Sequence, residues 1–360
     1  MAWTNRLGAG FWALTRYDDI ARAVRDTATF SSGLGPPRLG PVPSPPIEVD
    51  RPEHTAYRRV LQPFFSPEHI RRLEPRVRDL AVSMLDPLIA SGSADFAEAF
   101  SYPFPARVLS LLLGLPGDDW AMLKDLAEEF FKAGEERDND PGRRDRANEA
   151  LLDYGRQLIA ERRRMDLDPR EDLVTGLLHA EMNGRPLSEE AVVGVMRLLL
   201  SAGHNSTTSS LGICALHLAR DPGLQDELRR RPERLPAAIE EFLRHETPVM
   251  TTPRALAKDV EVGGRMMRAG EQVMLVWASA NRDEEHFAEP DRCVIDRAPN
   301  DHMVFGRGIH RCLGQPVALM EIRVALEELL SRTSRVEVAG EVKRTNWERY
   351  GVTALPLSFS

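Results

Sequence analysis

The residue of this 360-residue chain best placed for demanding chemistry is Cys312. It stands in FGRGIHRCLG, residues 305–314, directly ahead of QPVALMEIRVALEELL, which reads as an amphipathic helix turning Ala318, Ile322, Ala325, Leu326 and Leu329 inward. A thiol at a helix N-terminus meets free N–H groups and the positive end of the helix dipole, so the thiolate is expected to be favoured there. Gly306, Gly308 and Gly314 let the backbone turn tightly and approach a flat ligand, and Pro316 lies in the first turn, where its missing N–H costs little. On these residues alone Cys312 reads three ways: a buried structural cysteine, a nucleophile, or a metal ligand shared with His310.

The pattern Phe305-Gly306-x-Gly308-x-His310-x-Cys312-x-Gly314 resembles the haem-binding signature of the cytochrome P450 family at each defining position. The resemblance implies that Cys312 is the axial thiolate ligand of the iron in haem b (iron protoporphyrin IX), donating electron density that favours O–O cleavage. It also implies that Phe305 shields the sulfur and that His310 reaches a haem propionate. Further matches follow in order along nearly the whole chain. Glu241-Phe242-Leu243-Arg244 resembles the family's E-x-x-R helix, whose i, i+3 spacing sets carboxylate and guanidinium on one face. The family completes that pair with a later arginine, and Arg292, in Pro290-Asp291-Arg292, is expected to fill the place as part of a structural triad. Cys293, where the family usually has an aromatic residue, and Cys214 are expected to be core filler. His54-Thr55-Ala56-Tyr57-Arg58 is similar to the H-x-x-x-R element that meets one propionate, and Arg254 to the strand arginine that holds the other; arginine suits a carboxylate because it binds bidentately and stays protonated.

A second chemical segment is Ala202-Gly203-His204-Asn205-Ser206-Thr207, which resembles the family's A-G-x-(D/E)-T-T oxygen-binding stretch. The resemblance makes Gly203, Asn205, Ser206 and Thr207 the catalytic residues, with two departures: Asn205 replaces the acid and Ser206 the usual threonine. An amide supplies no acidic proton, but Asn205 can orient water and Ser206 keeps an exchangeable one. Gly203 is expected to let the helix open, with a hydroxyl bonding back one turn; that Asn205 and Ser206 merely satisfy a widened turn is the plainer alternative. His204 is expected to point away from the iron.

These residues need a helical scaffold, and the sequence supplies one. A short strand within Gly10–Thr15 leads into a helix over Asp18–Arg25. Helical patterns then cover Pro67–Ser91, Pro105–Leu113, Asp118–Lys132 and Arg143–Met165. The longest runs from Ser188 to Arg220, opened by a capping serine and two glutamates and closed by Asp221-Pro222, with further helices at Asp221–Arg230 and Pro236–His245. Strands are expected at Arg254–Leu256, at Val260–Val262 with a Gly-Gly turn, and at Gln272–Val276, with a last hairpin over Val352–Phe359. The Pro- and Gly-rich stretch from Gly33 to Pro46 excludes regular structure. The expected fold is mainly α with minor β, a single domain over residues 1–360 with the cytochrome P450 fold and small peripheral sheets. Against the family the N-terminus reads as short, without a leading helix.

Composition narrows the partners. A net charge of −8, with 47 basic residues scattered among 55 acidic ones, argues against nucleic acid. No apolar run approaches a membrane span and no signal core opens the chain, so a cytoplasmic monomer is expected. Three cysteines without C-x-x-C spacing suggest neither a disulfide framework nor a zinc ribbon. The resemblance implies a monooxygenase acting on a small hydrophobic or aromatic substrate, lined by the Pro-rich loop, Phe130, Phe131, Leu199, Val249–Thr252 and Val352. It also implies electrons from a ferredoxin and ferredoxin reductase, docking near Arg59, Arg307 and Arg311. Peroxide-driven or non-oxygenating haem chemistry, and a non-catalytic haem sensor, are the other readings.

Overall fold

In the computed structural model, which describes residues 1–5, 10–34, 42–135, 142–347 and 349–360, a helical body carries small sheets at its periphery. Residues 35–41 of the Pro-rich loop and the side chain of Phe131 lie outside the described part.

The helix Glu189–Arg220 organises the body. Ser188 caps it by accepting from the Ala191 N–H at 3.2 Å, and Glu189 and Glu190 complement the dipole in the first turn. At about 1.5 Å per residue it spans about 50 Å, long enough to touch most other helices. It ends where Asp221 leaves helical geometry and caps the next helix, Pro222–Arg230, by accepting from Leu224 N at 2.9 Å. Around it pack Pro103–Leu113, Asp119–Glu135, Arg143–Arg162, Leu235–His245 and Gln315–Arg332, with Pro67–Ala90 lying against the last of these. The helix Gln315–Arg332 is more deeply embedded than an amphipathic reading implies: of the residues expected inward, Ile322, Ala325, Leu326 and Leu329 are buried and Ala318 half-buried, but Val317, Met320, Glu321 and Val324 are buried as well.

A five-stranded sheet joins the N-terminal strands to the segment 251–276 in the order Ala2–Thr4, Phe11–Leu14, Gln272–Val276, Thr251–Leu256, Phe30–Ser31. Its apolar face forms a second core with Leu14, Ile20, Val273 and Leu275, separate from the large helical one. The C-terminal expectation needs correcting. Arg349–Ala354 pairs with Lys343–Trp347, whereas Pro356–Phe359 pairs with Val336–Val338 and Ser93–Asp95, so the two final strands belong to different sheets and form no hairpin with each other. A single residue, Leu355, separates them, which is too short for a hairpin turn.

Candidate active site

The cysteine loop is closed by its own backbone. Cys312 N donates to Phe305 O at 2.8 Å. Gly306 and Gly308 make the turns with φ of 67° and 74°. At Gly308 space is lacking too, since a Cβ would stand 2.5 Å from Val24 O. Gly314, by contrast, has φ −79° and stands at the start of the helix Gln315–Arg332. Arg307 is committed to holding the loop: its Nη1 donates to Tyr17 Oη at 2.5 Å and to Asp301 Oδ2 at 2.8 Å, while Tyr17 donates to Asp301 O at 2.6 Å. It therefore offers little to a docking patch, whereas Arg59 and Arg311 are exposed.

Cys312 is exposed at the surface of its loop, yet its sulfur is surrounded by enough protein to lose solvation. Burial pushes its thiol above the ordinary value, against the opposing pull of the Gly314 N–H, the Arg58 guanidinium, the Gln315 N–H and Arg311. The helix end thus acts on the sulfur as expected but is outweighed, and a bound metal ion is what would keep it as thiolate. Around it stand groups suited to a flat dicarboxylate. Arg58 donates to Arg311 O at 2.9 Å and feels the Cys312 charge. His54, on the helix Glu53–Leu61, meets the His310 ring edge to face at 4.3 Å between centroids. Both His54 ring nitrogens are buried with no hydrogen-bond partner among the described residues. Buried polar atoms are rarely left so, and a carboxylate would satisfy them. Arg254, buried on its strand, donates to Pro253 O at 2.7 Å.

Beneath the loop, Arg244 grips Glu241 with Nε at 2.7 Å and Nη2 at 2.9 Å, both side chains fully buried. The third arginine is Arg297, not Arg292. Arg297 Nε lies 3.1 and 3.2 Å from the two Glu241 oxygens, whereas the Arg292 side chain turns to solvent and pairs with Glu289 at 2.6 Å. Arg292 contributes only its carbonyl, which accepts from Arg244 at 2.9 Å and Arg297 at 3.2 Å. Burial raises the Glu241 pKa, but Arg244, the Val294 N–H and Arg297 together bring it below the ordinary range. Cys293, next to Arg292 on this outward turn, is exposed and not core filler; Cys214 is fully buried.

The long helix is unbroken through residues 202–207, so Gly203 opens nothing. Its missing side chain instead admits Leu109, whose Cδ1 would be 3.0 Å from a Cβ there. Between Val192 and Leu216 the helix is buried except at Leu199, Ala202, Gly203, Ser206 and Ser209. These recur at the helical period, giving one accessible face inside the protein. Ser206 lies on that face and bonds back to Ala202 O at 3.4 Å. Asn205 lies off it, buried, its amide directed at Ala127 O at 3.4 Å on a neighbouring helix. Thr207 and His204 are buried off the same face. Sequence reading missed this face as a unit, although its period was present in the spacing of small residues. It also missed the fully buried Arg197, which donates to Asn148 Oδ1 at 2.9 Å and Val42 O at 2.7 Å and ties the end of the Pro-rich loop to the long helix.

Comparison with known proteins agrees with this geometry. The family model described as Cytochrome P450 matches residues 140–357. The erythromycin C-12 hydroxylase of Saccharopolyspora erythraea is 36% identical over 95% of this chain and 86% of its own length. Linalool 8-monooxygenase of Pseudomonas putida is 32% identical over 94% and 86%. Among solved structures, the post-tailoring hydroxylase HmtN of himastatin biosynthesis superposes with a TM-score of 0.88 at 32% identity, covering 100% of this chain and 94% of that one. Cysteine loop, buried Glu-Arg-Arg cluster, long central helix and these relatives agree: the chain belongs to the cytochrome P450 family, as a haem-dependent monooxygenase that takes electrons from partner proteins.

Proposed function

We propose that the whole chain forms one haem domain, a cytoplasmic monomer in which Cys312 is the axial thiolate ligand of haem b and one atom of dioxygen is inserted into a hydrophobic or aromatic secondary metabolite. The observation that carries this is the Cys312 loop: an exposed thiol whose backbone N–H is bound to Phe305 O, with Arg58 on the Arg311 carbonyl and His54 against His310 beside it. Bound there, haem supplies dioxygen activation, with the thiolate favouring O–O cleavage.

The chain's own residues then have separable tasks. Arg58 and Arg254 would neutralise the carboxylates, and the loop's backbone bond would hold Cys312 in place as the ligand. Ser206, on the accessible helix face, carries the exchangeable proton nearest the reacting region and passes it along bound water. Leu199, Ala202 and Ser209 give that face its small, mostly apolar lining, with half-buried Val249–Thr252 as a further wall. Apolar lining and relatives named as an erythromycin C-12 hydroxylase and a linalool 8-monooxygenase support a substrate of that polarity. Electrons are expected from an acidic ferredoxin, served by its reductase, docking at Arg59 and Arg311.

The deciding test is the absorption spectrum of the reduced protein under carbon monoxide. A strongly red-shifted Soret band is expected, absent in Cys312→Ala; a band at the position typical of histidine ligation overturns the assignment. A second reading has its own support, since Asn205 is directed at Ala127 and offers no acid. If peroxide alone gives turnover equal to that with a complete ferredoxin system, peroxide-driven oxygenation replaces the dioxygen-dependent reading.

A further inference from the structure

Beyond the haem site, the described residues bring three metal-binding side chains together in one other place. His217 in the last turn of the long helix, His245 at the end of the helix Leu235–His245, and Glu246 just after it hold donor atoms within 4.8 Å of one another. All three are partly buried. His217 Nε2 stands 3.2 Å from Glu246 Oε1, close to the edge of a tetrahedron whose centre lies about 2.0–2.1 Å from nitrogen and oxygen ligands.

The surroundings orient these donors. The His217 ring lies flat against Phe242, 4.7 Å between centroids and 3° between planes, which fixes its plane. His245 shares Nε2 with Asp291 O at 2.9 Å, so this nitrogen carries the proton and Nδ1 keeps its lone pair. That Nδ1 is buried with no hydrogen-bond partner among the described residues. A ring nitrogen donating to a backbone carbonyl while the other offers its lone pair is the usual arrangement of a metal-bound histidine. Arg344 pairs with Glu246 through Nη1 on Oε2 and, at 3.4 Å, Nη2 on Oε1, which holds the carboxylate in place with Oε1 also facing His217. Arg282, bonded to His245 O at 3.0 Å, and Asp291 complete the charged surroundings.

We propose that His217, His245 and Glu246 form a second metal site, taking one zinc ion with water as fourth ligand. Two imidazoles and a carboxylate suit that ion and its tetrahedral geometry. The ion would pin the C-terminal end of the long helix to the helix that carries Glu241 and Arg244, one residue beyond the buried ion pair under the cysteine loop. Its role is therefore structural, separate from oxygen chemistry.

The test uses the haem-loaded full chain without a histidine tag. Equilibrium dialysis against micromolar zinc chloride, read by elemental analysis, is expected to give one zinc per chain, and calorimetry a higher unfolding temperature with zinc than with chelator. His217→Gln and His245→Gln, which keep size and polarity, are expected to weaken binding at least tenfold and to abolish the zinc-dependent rise, with an unchanged Soret band reporting an intact fold. His179→Gln, outside the cluster, should bind as the parent does. No saturable binding at micromolar zinc, or binding that both cluster variants retain, overturns the proposal.

Discussion

Arg297 Nε reaches both oxygens of Glu241, at 3.1 and 3.2 Å, across 56 residues of sequence. Glu241 and Arg244 are inaccessible to solvent, so removing Arg297 leaves a buried carboxylate with one guanidinium instead of two. Loss of a partner from a buried ionic cluster costs about 3–5 kcal/mol. Arg297→Ala is expected to fall in that range in urea unfolding and to yield little haem-loaded protein. Arg292→Ala, which removes only a solvent-facing pair with Glu289, should unfold at the parent's urea concentration. Equal losses in the two variants would restore Arg292 to the cluster.

His54 gives a pH dependence whose sign follows from burial. Burial first, then Arg58 and Arg51, lower its pKa from 6.5 to about 4. The folded chain therefore holds the ring neutral while the unfolded chain binds a proton below pH 6.5. Stability is intact above that pH and is lost as pH falls from 6.5 towards 4, by about 2 kcal/mol at pH 5. In the haem-free chain, unfolding midpoints at pH 7.5 and 5.0 should show this loss, and His54→Gln should be flatter by that amount. Loading haem should also flatten the parent's profile, because a propionate beside the ring favours its protonated form. An equal slope in parent and variant counts against a buried neutral His54.

The cysteine loop and the long helix with its serine cap were legible, because each rests on local residue chemistry or a strong period. What failed depended on long-range geometry. Two arginines, 292 and 297, stand five residues apart in one segment, and the sequence spacing does not tell that Arg292 turns to Glu289 at the surface while Arg297 reaches Glu241. Asn205 looked like a reacting group because it follows Gly203 in a recognisable segment; its position 100° around the helix from the accessible face sends it to Ala127. The last two strands are adjacent in sequence but in separate sheets, a matter of which partners the fold brings near.

Gly308 and Gly306 separate backbone conformation from packing. Both have positive φ, but a Cβ on Gly308 would collide with Val24 O at 2.5 Å, whereas one on Gly306 meets nothing nearer than His310 O at 3.8 Å. Gly306→Ala carries only the left-handed backbone cost, about 1–2 kcal/mol. Gly308→Ala must also displace the Val24 carbonyl, and with it the loop that Arg307 holds to Tyr17. Haem content per chain after purification should fall further in Gly308→Ala than in Gly306→Ala. The reverse order would show that the loop tolerates movement at Val24.

Ser206 and Asn205 test how protons reach the bound oxygen. If the hydroxyl on the accessible face is the donor, Ser206→Ala should lower product formed per reduced nicotinamide consumed by about tenfold while substrate binding, read as the haem spin-state shift, is kept. Thr207→Ala, buried off that face, should leave coupling near the parent's. Asn205→Asp distinguishes a latent acid from a packing residue. Its carboxyl would face the Ala127 carbonyl with no donor in return, a buried mismatch costing about 1–3 kcal/mol, so lower stability with unimproved coupling is expected. If Asn205→Asp instead raised coupling at unchanged stability, the side chain at 205 would have to turn onto the accessible face during turnover, and the proton route would run through that position and not through Ser206 alone.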